Sequence, residues 1–213
     1  MVNLFYICRD YHMSAEEKIL EGAQSMFLRY GIRSITMDEV SRELGISKKT
    51  LYQHVDNKAD LVKKVMERHF KEEREFSIGL QETAENSIDE MLQVFHHMAK
   101  LMREISHAVV YDMQKYYPES WALQVKFKDE FLYNTILKNI QRGQKEGLYR
   151  ANANADIIAK LYISSVEVFT DPTIFPVGEY TFLEIYTQFI QYHIYGLLTD
   201  EGRAYFEQRF KPE

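Results

Sequence analysis

Three short signals constrain this chain more than anything else in it. Ser14-Ala-Glu-Glu17, Thr36-Met-Asp-Glu39 and Ser87-Ile-Asp-Glu90 each place Ser or Thr three residues ahead of Glu. At that spacing the hydroxyl can accept the N–H of the third helical residue. The carboxylate can accept the cap's own N–H, so each signal reads as a helix start. After the first, Ile19, Leu20, Ala23, Met26 and Phe27 recur at helical spacing, and Gly31 stands where a C-terminal glycine belongs. Breakers are scarce, with 9 Gly and 4 Pro in 213 residues, which favours long helices over a many-turned β-sandwich. With 46% hydrophobic and 27% charged residues the chain can bury a sizeable core, so disorder is excluded and an all-α fold is expected.

The same reading continues along the chain. Helices are expected over 14–30, 37–44 and 48–55, the last after Gly45-Ile46-Ser47, with Val40, Leu44, Ile46, Leu51 and Val55 as core. Helix 2, a glycine turn and helix 3 fit in about 20 residues, the size of a helix-turn-helix. A fourth helix starts at Asn57-Lys-Ala-Asp60 and runs to about residue 75, with Gly79 interrupting near its end. Further helices are expected from Ser87, over 106–116 up to the Tyr117-Pro118 step, and over 119–146 with Gly147 as terminator. The eighth and ninth cover 155–170 and 180–198, with a loop at 171–179 and a terminal helix or tail over 199–210. The ninth is too broadly apolar for one face, as a helix buried on two sides would be.

Charge is uneven. The chain carries 26 Lys+Arg and 32 Asp+Glu, a net −6. Residues 14–70 are close to neutral, with 10 basic and 9 acidic side chains, whereas residues 71–213 carry 15 and 22. Such asymmetry suggests two parts with different partners. The lone Cys8 excludes an internal disulfide and a Cys-rich zinc module. Residues 1–13 lack the pattern of a signal peptide and read as a start-site extension or an ordered arm. Residues 185–199 are free of charge but too short and too polar to span a membrane, so a cytoplasmic protein without a membrane partner is expected.

Residues 32–61 hold the strongest motif: Thr36, then Gly45-Ile46-Ser47, then Thr50-Leu51-Tyr52-Gln53-His54-Val55, then Asn57-Lys58. This stretch closely resembles the DNA-binding domain of TetR-family transcriptional regulators. The resemblance implies an N-terminal extension at 1–13, a helix-turn-helix domain at 14–58 and a helical ligand-binding and dimerisation domain at 59–213. It also implies that Thr36, Tyr52 and Lys58 anchor phosphates, and that Lys48, Lys49, Gln53 and His54 are base readers or their near neighbours. Ser47 and Thr50 complete the DNA-facing set. The chemistry agrees. A recognition helix turns its N-terminal residues toward base edges, where Lys can reach guanine and Gln can pair with adenine. Thr36 and Lys58 stand at helix N-termini, which favour anions. Tyr52 could instead pack on the first helix, and the two lysines could be a solvated helix start.

The C-terminal part has no GxSxG, phosphate loop, HExxH or CxxC, so no catalytic residue, cofactor or metal is expected. Adjacent His96 and His97 diverge by about 100° on a helix and, with His107, make a poor metal site. Phe95, Met98, Met102, Tyr111, Met113, Trp121, Phe127, Phe131 and Tyr162 are either aromatic core or the lining of an apolar pocket. The resemblance favours a pocket for a small apolar or amphipathic effector. The stretch Gly143 to Asp156 also resembles the family, and the eighth and ninth helices would then form a four-helix bundle with a second copy. Ile157, Leu161, Phe182, Tyr186, Phe189, Ile190 and His193 are the candidate dimer residues.

The expected function is therefore a homodimeric regulator, most simply a repressor, bound to a palindromic double-stranded operator and released by a small-molecule effector. An activator or architectural protein of the same fold, without an inducer, is the nearer alternative, and an enzyme using the C-terminal pocket is the remote one.

Overall fold

A computed structural model describes residues 13–105, 107–169, 171, 173–176 and 178–210, without the side chains of Glu104 and His107. The expectations placed on residues 1–12 with Cys8, on Ser106 as a helix start and on the His107 side chain lie outside that description. Among the described residues the fold is helical, with an isolated bridge between Tyr149 and Leu198.

The first unit is small and tightly capped. Helix α1 (Ala15–Tyr30) starts at Ser14 with both halves of its capping box formed, and α2 (Met37–Glu43) does the same at Thr36. Such caps contribute about 1 kcal/mol each. Gly31 and Gly45 adopt φ of 81° and 63°, where a Cβ would strain the backbone. Helix α3 is shorter than its apolar spacing suggests, ending at Leu51 after starting at Lys48. The 48–55 stretch tightens beyond that point, with Gln53 N–H on Thr50 O and His54 N–H on Leu51 O, which brings Val55 back under the domain. Leu51 and Val55 are fully buried beside Ile19, Ala23, Phe27 and Val40.

Helix α4 (Lys58–Thr83) joins this unit to the rest. It passes straight through Gly79, because a glycine inside a helix costs only about 1 kcal/mol and nothing crowds it. Leu61, Val62 and Val65 of α4 and Val109 and Met113 from the larger part pack into the same core as α1. Packing is thus continuous across the 58/59 boundary.

The larger part holds α5 (Ser87–Glu104), α6 (His107–Tyr116) and α7, followed by α8 (Ala155–Phe169), α9 (Phe182–Leu197) and α10 (Asp200–Arg209). The cap of α5 is Asn86, not Ser87. Its Oδ1 accepts from the N–H groups of Ile88 and Asp89, and Glu90 turns inward to Arg142 instead of back to Ser87. Helix α7 is not the uniform helix expected over 119–146. It comprises an α-helical stretch Pro118–Lys126, a π-helical turn Phe127–Leu132 and a second α-helical stretch Tyr133–Lys145. Thr181 forms a capping box with Glu184 at the start of α9.

A polar cluster ties α5 to the end of α7. Arg142 donates to Glu146, to Glu90 and to the Ala84 carbonyl. Ser87 N–H donates to Glu146, and Asn139 donates to the Ser87 carbonyl. Buried Tyr149 donates to that carbonyl and lies flat on Gly143, where a Cβ would come within 2.1 Å of its ring. Gly143→Ala should therefore destabilise the protein by about 1–3 kcal/mol through overpacking, lowering Tm by about 2–12 °C for a chain of this size. An unchanged thermal midpoint would show that the Tyr149 ring can yield without cost.

Candidate nucleic-acid interface and adjoining cavity

The expected DNA-facing residues fall on one end of the small unit, and the local bonding divides them in two. Ser47 and Thr50 are occupied with each other: Thr50 N–H donates to Ser47 Oγ at 3.0 Å, and the two hydroxyls are 2.8 Å apart. Thr36 is held by Glu39, its hydroxyl donating at 2.8 Å. These three fix the backbone at the starts of α3 and α2. Lys48, Lys49, Tyr52 and Gln53 are exposed. Tyr52 is 48% exposed. Lys48 pairs with Asp38 at 2.6 Å, both well exposed. His54 is half-buried, and its carbonyl accepts from Lys64.

Lys58 is held differently. Its ammonium donates to the Arg33 carbonyl at 3.2 Å. Partial burial lowers its pKa below the ordinary lysine value, against the opposing pull of Asp112 and Glu39. Arg33 is in turn fixed by α6. Its N–H donates to Asp112 Oδ2 at 2.7 Å, its guanidinium donates to the Tyr116 hydroxyl at 2.8 Å, and it lies over the Tyr116 ring at 4.8 Å. Asp112 is buried. Gly31 fits against the same helix, since a Cβ there would meet Ala108 at 3.0 Å and Asp112 at 3.5 Å. Residues 108, 112 and 116 thus form one stripe of α6 against the α1–α2 turn. The sequence offered no signal for this contact, because its partners lie about 80 residues apart.

The other side of α6 faces a cavity of about 290 Å³ enclosed by α1 and α4 to α9. Val109, Val110 and Met113 of α6 line it, as do Met98, Met102, Trp121, Phe127 and Tyr162 from the expected set. Three of that set do not. Phe95 is fully buried in the packing of α5 against α9 and Phe210. Tyr111 points outward from α6, where it accepts from Lys115. Phe131 lies outside the wall, tilted against Phe127 and under Arg74. The two rings meet at 5.1 Å within the π turn, and Phe127 reaches the cavity while Phe131 does not.

The candidate dimer residues also separate. Ile157 and Leu161 of α8 are exposed at 53% and 59%. Phe182, Tyr186, Ile190 and His193 instead turn into the chain's own interior and line the cavity. Phe189 is half-buried among the rings of Tyr162, Phe169 and His193. The reason is that α9 supplies the inner wall of its own bundle, leaving its opposite side, with Tyr192 at 82%, exposed. Sequence reasoning missed the cavity's polar members, Glu73, His69 and His97. The side chains of His97 and Glu73 meet at 2.8 Å, and Phe76 stacks on the imidazole at 4.0 Å. Among the described residues no group of His, Cys, Asp or Glu is arranged to hold a metal, and no helix is long and apolar enough to cross a membrane.

Burial lowers the His193 imidazole from the ordinary 6.5 to about 4. The unfolded chain takes up a proton at this residue well before the folded one does. The stability it contributes is therefore complete above about pH 6.5 and is lost as pH falls toward 4. In urea unfolding, wild type should lose about 1–2 kcal/mol more than His193→Gln between pH 7 and pH 5. Equal losses would remove His193 as the source.

Comparison with known proteins places this geometry. Residues 19–65 match the family model described as bacterial regulatory proteins, tetR family. An uncharacterized HTH-type transcriptional regulator, YvaF of Bacillus subtilis (strain 168), is 25% identical over 170 residues, covering 79% of this chain and 88% of the relative. Among solved structures, a TetR-family transcriptional regulator from Agrobacterium tumefaciens superposes with a TM-score of 0.68 at 15% identity, over 86% of this chain and 97% of the other. A putative transcriptional regulator from Saccharomonospora viridis, solved in complex with choline, gives 0.66 at 17% identity over 87% and 98%. The matched segment is the helix-turn-helix unit, and the superposed folds run on through the cavity-bearing helices. The helix-turn-helix segment thus matches the tetR family of bacterial regulatory proteins, and most of the chain is similar to HTH-type transcriptional regulators.

Proposed function

We propose that this chain holds a two-fold symmetric operator as a homodimer and releases it when a small molecule fills the cavity. The observation that carries the reading is the double use of α6. One stripe grips the α1–α2 turn through Asp112 and Tyr116, and the other side walls the cavity through Val109, Val110 and Met113. A ligand that needs α6 elsewhere shifts Asp112, then Arg33, whose carbonyl holds Lys58. DNA and ligand then oppose each other reciprocally, because each favours a different α6 position. The choline bound to the Saccharomonospora viridis protein supports a small-molecule occupant for such a fold.

In this reading Thr36, Tyr52 and Lys58 take phosphates, while Lys48, Lys49 and Gln53 face base edges. Lys48 trades its exposed Asp38 partner for DNA, a small loss because exposed ion pairs contribute little. The exposed Ile157 and Leu161 on α8 and Tyr192 on α9 give a second copy apolar surface to cover. Pairing must set the two recognition helices about 34–36 Å apart to meet successive major grooves. The domain division remains functional: residues 14–58 read DNA, and residues 59–213 bind ligand and dimerise.

Selection from a random duplex pool should enrich a palindromic site. Lys58→Ala should weaken binding to every sequence alike and lower the salt slope by about 1, whereas Gln53→Ala should relax preference at one position per half-site. No enrichment over random duplex would sink the reading. Asp112→Ala should weaken operator binding about tenfold or more, as expected for loss of a hydrogen bond to a charged group. Operator affinity unchanged in that variant would break the proposed route from cavity to DNA.

A further inference from the structure

The cavity wall is apolar in the main, yet its charged members are unbalanced. Three carboxylates line it, from Glu73, Glu90 and Glu167, against one ammonium, from Lys128. Lys128 is bonded to Glu167, and Glu90 is answered from behind by Arg142 at 3.3 Å. Glu73 has neither kind of partner. Among the described residues no Lys or Arg pairs with it, and its 2.8 Å contact is with the imidazole of His97. The second imidazole nearby, His69, is held below the ordinary histidine value by burial and supplies no fixed positive charge. The third, His193, is pushed down likewise. The Glu73 side chain is only 16% exposed, so water screens it weakly.

Aromatic rings add to this, with one face of Phe70 taken by Phe127 and one face of Phe76 by His97. Phe70, Phe76, Trp121 and Tyr162 line the same space. Aromatic faces attract a cation and do nothing comparable for an anion. We infer that the cavity selects a hydrophobic cation, an apolar body carrying one protonated nitrogen that comes to rest against the Glu73 carboxylate. An anion there would meet a surplus of buried negative charge. A neutral molecule of the same shape would gain only the apolar contacts. The inference rests on the reading of this cavity as the effector site, and adds the chemical class of the occupant.

Trp121 is the only tryptophan in the chain and lines the cavity, so its fluorescence reports occupancy directly. Three probes share one body and differ in the head group: 4-phenylbutylamine, protonated at pH 7, 4-phenylbutan-1-ol, and 4-phenylbutyrate. Titrated into the full-length protein, the amine should bind about tenfold more tightly than the alcohol, and the carboxylate most weakly. Glu73→Gln should erase the amine's advantage over the alcohol, bringing their affinities to a ratio near one, and Glu73→Asp should retain most of that advantage. If the alcohol matches the amine in wild type, or the Gln variant keeps the preference, the cation reading fails and the cavity reading stands. If none of the three perturbs Trp121, both fall. Should the Gln variant lose even the alcohol, the wild-type ratio of amine to alcohol decides.

Discussion

A carboxylate buried without a hydrogen-bond donor costs several kcal/mol, and Asp112 meets that demand with the backbone N–H of Arg33. The bond spans 79 residues of sequence, so it fixes one end of α6 against a turn that local propensity could not place. The placement of α6 then decides much else. Its Val109 and Met113 complete the core shared by α1 and α4, and Val110 faces the cavity. Arg33, held in place, offers its carbonyl to Lys58 at the start of α4. One buried charge thus sets the geometry of the DNA-facing end and one wall of the cavity together.

The opposite end of the molecule is fastened by many weaker ties. Arg142, Glu146, Glu90, Asn139 and Tyr149 share hydrogen bonds around the start of α5, and Thr199 donates to the Gly147 carbonyl at 2.8 Å to bring α10 in. Burial raises the Glu90 pKa and Arg142 opposes it, so the pair is a compromise between desolvation and attraction. The bundle is therefore anchored firmly at the α5–α7–α10 end. At the other it is joined to the small unit through α4 and the grip of α6, a distribution suited to movement at the DNA-facing end.

What the sequence made legible follows from the range of the forces involved. Capping at Ser14 and Thr36 is decided within four residues, and the structure forms both boxes. The third box misled because Ser87 had a competitor one residue earlier. Asn86 caps α5, which frees Glu90 for a partner 52 residues away. The core positions Val40, Leu51 and Val55 were legible because a short amphipathic helix has only one face to bury. The cavity was half legible: residue type suggested Met98, Met102, Trp121, Phe127 and Tyr162, but type alone cannot separate a wall residue from a packed one such as Phe95. On α9, Phe182, Tyr186, Ile190 and His193 were expected on a dimer face, but they line the chain's own interior, and the outer side with Tyr192 is exposed.

The π-helical turn at Phe127–Leu132 carries one more consequence. Such a turn closes its hydrogen bonds five residues back rather than four, so it takes in an additional residue. Everything after it is rotated by about 100° relative to an uninterrupted helix of the same sequence. Beyond it Ile136, Asn139 and Ile140 line the cavity. An alignment to a relative with a regular helix here therefore needs a one-position gap within 127–132. Without it, a residue copied from the second half of α7 is one position out of register.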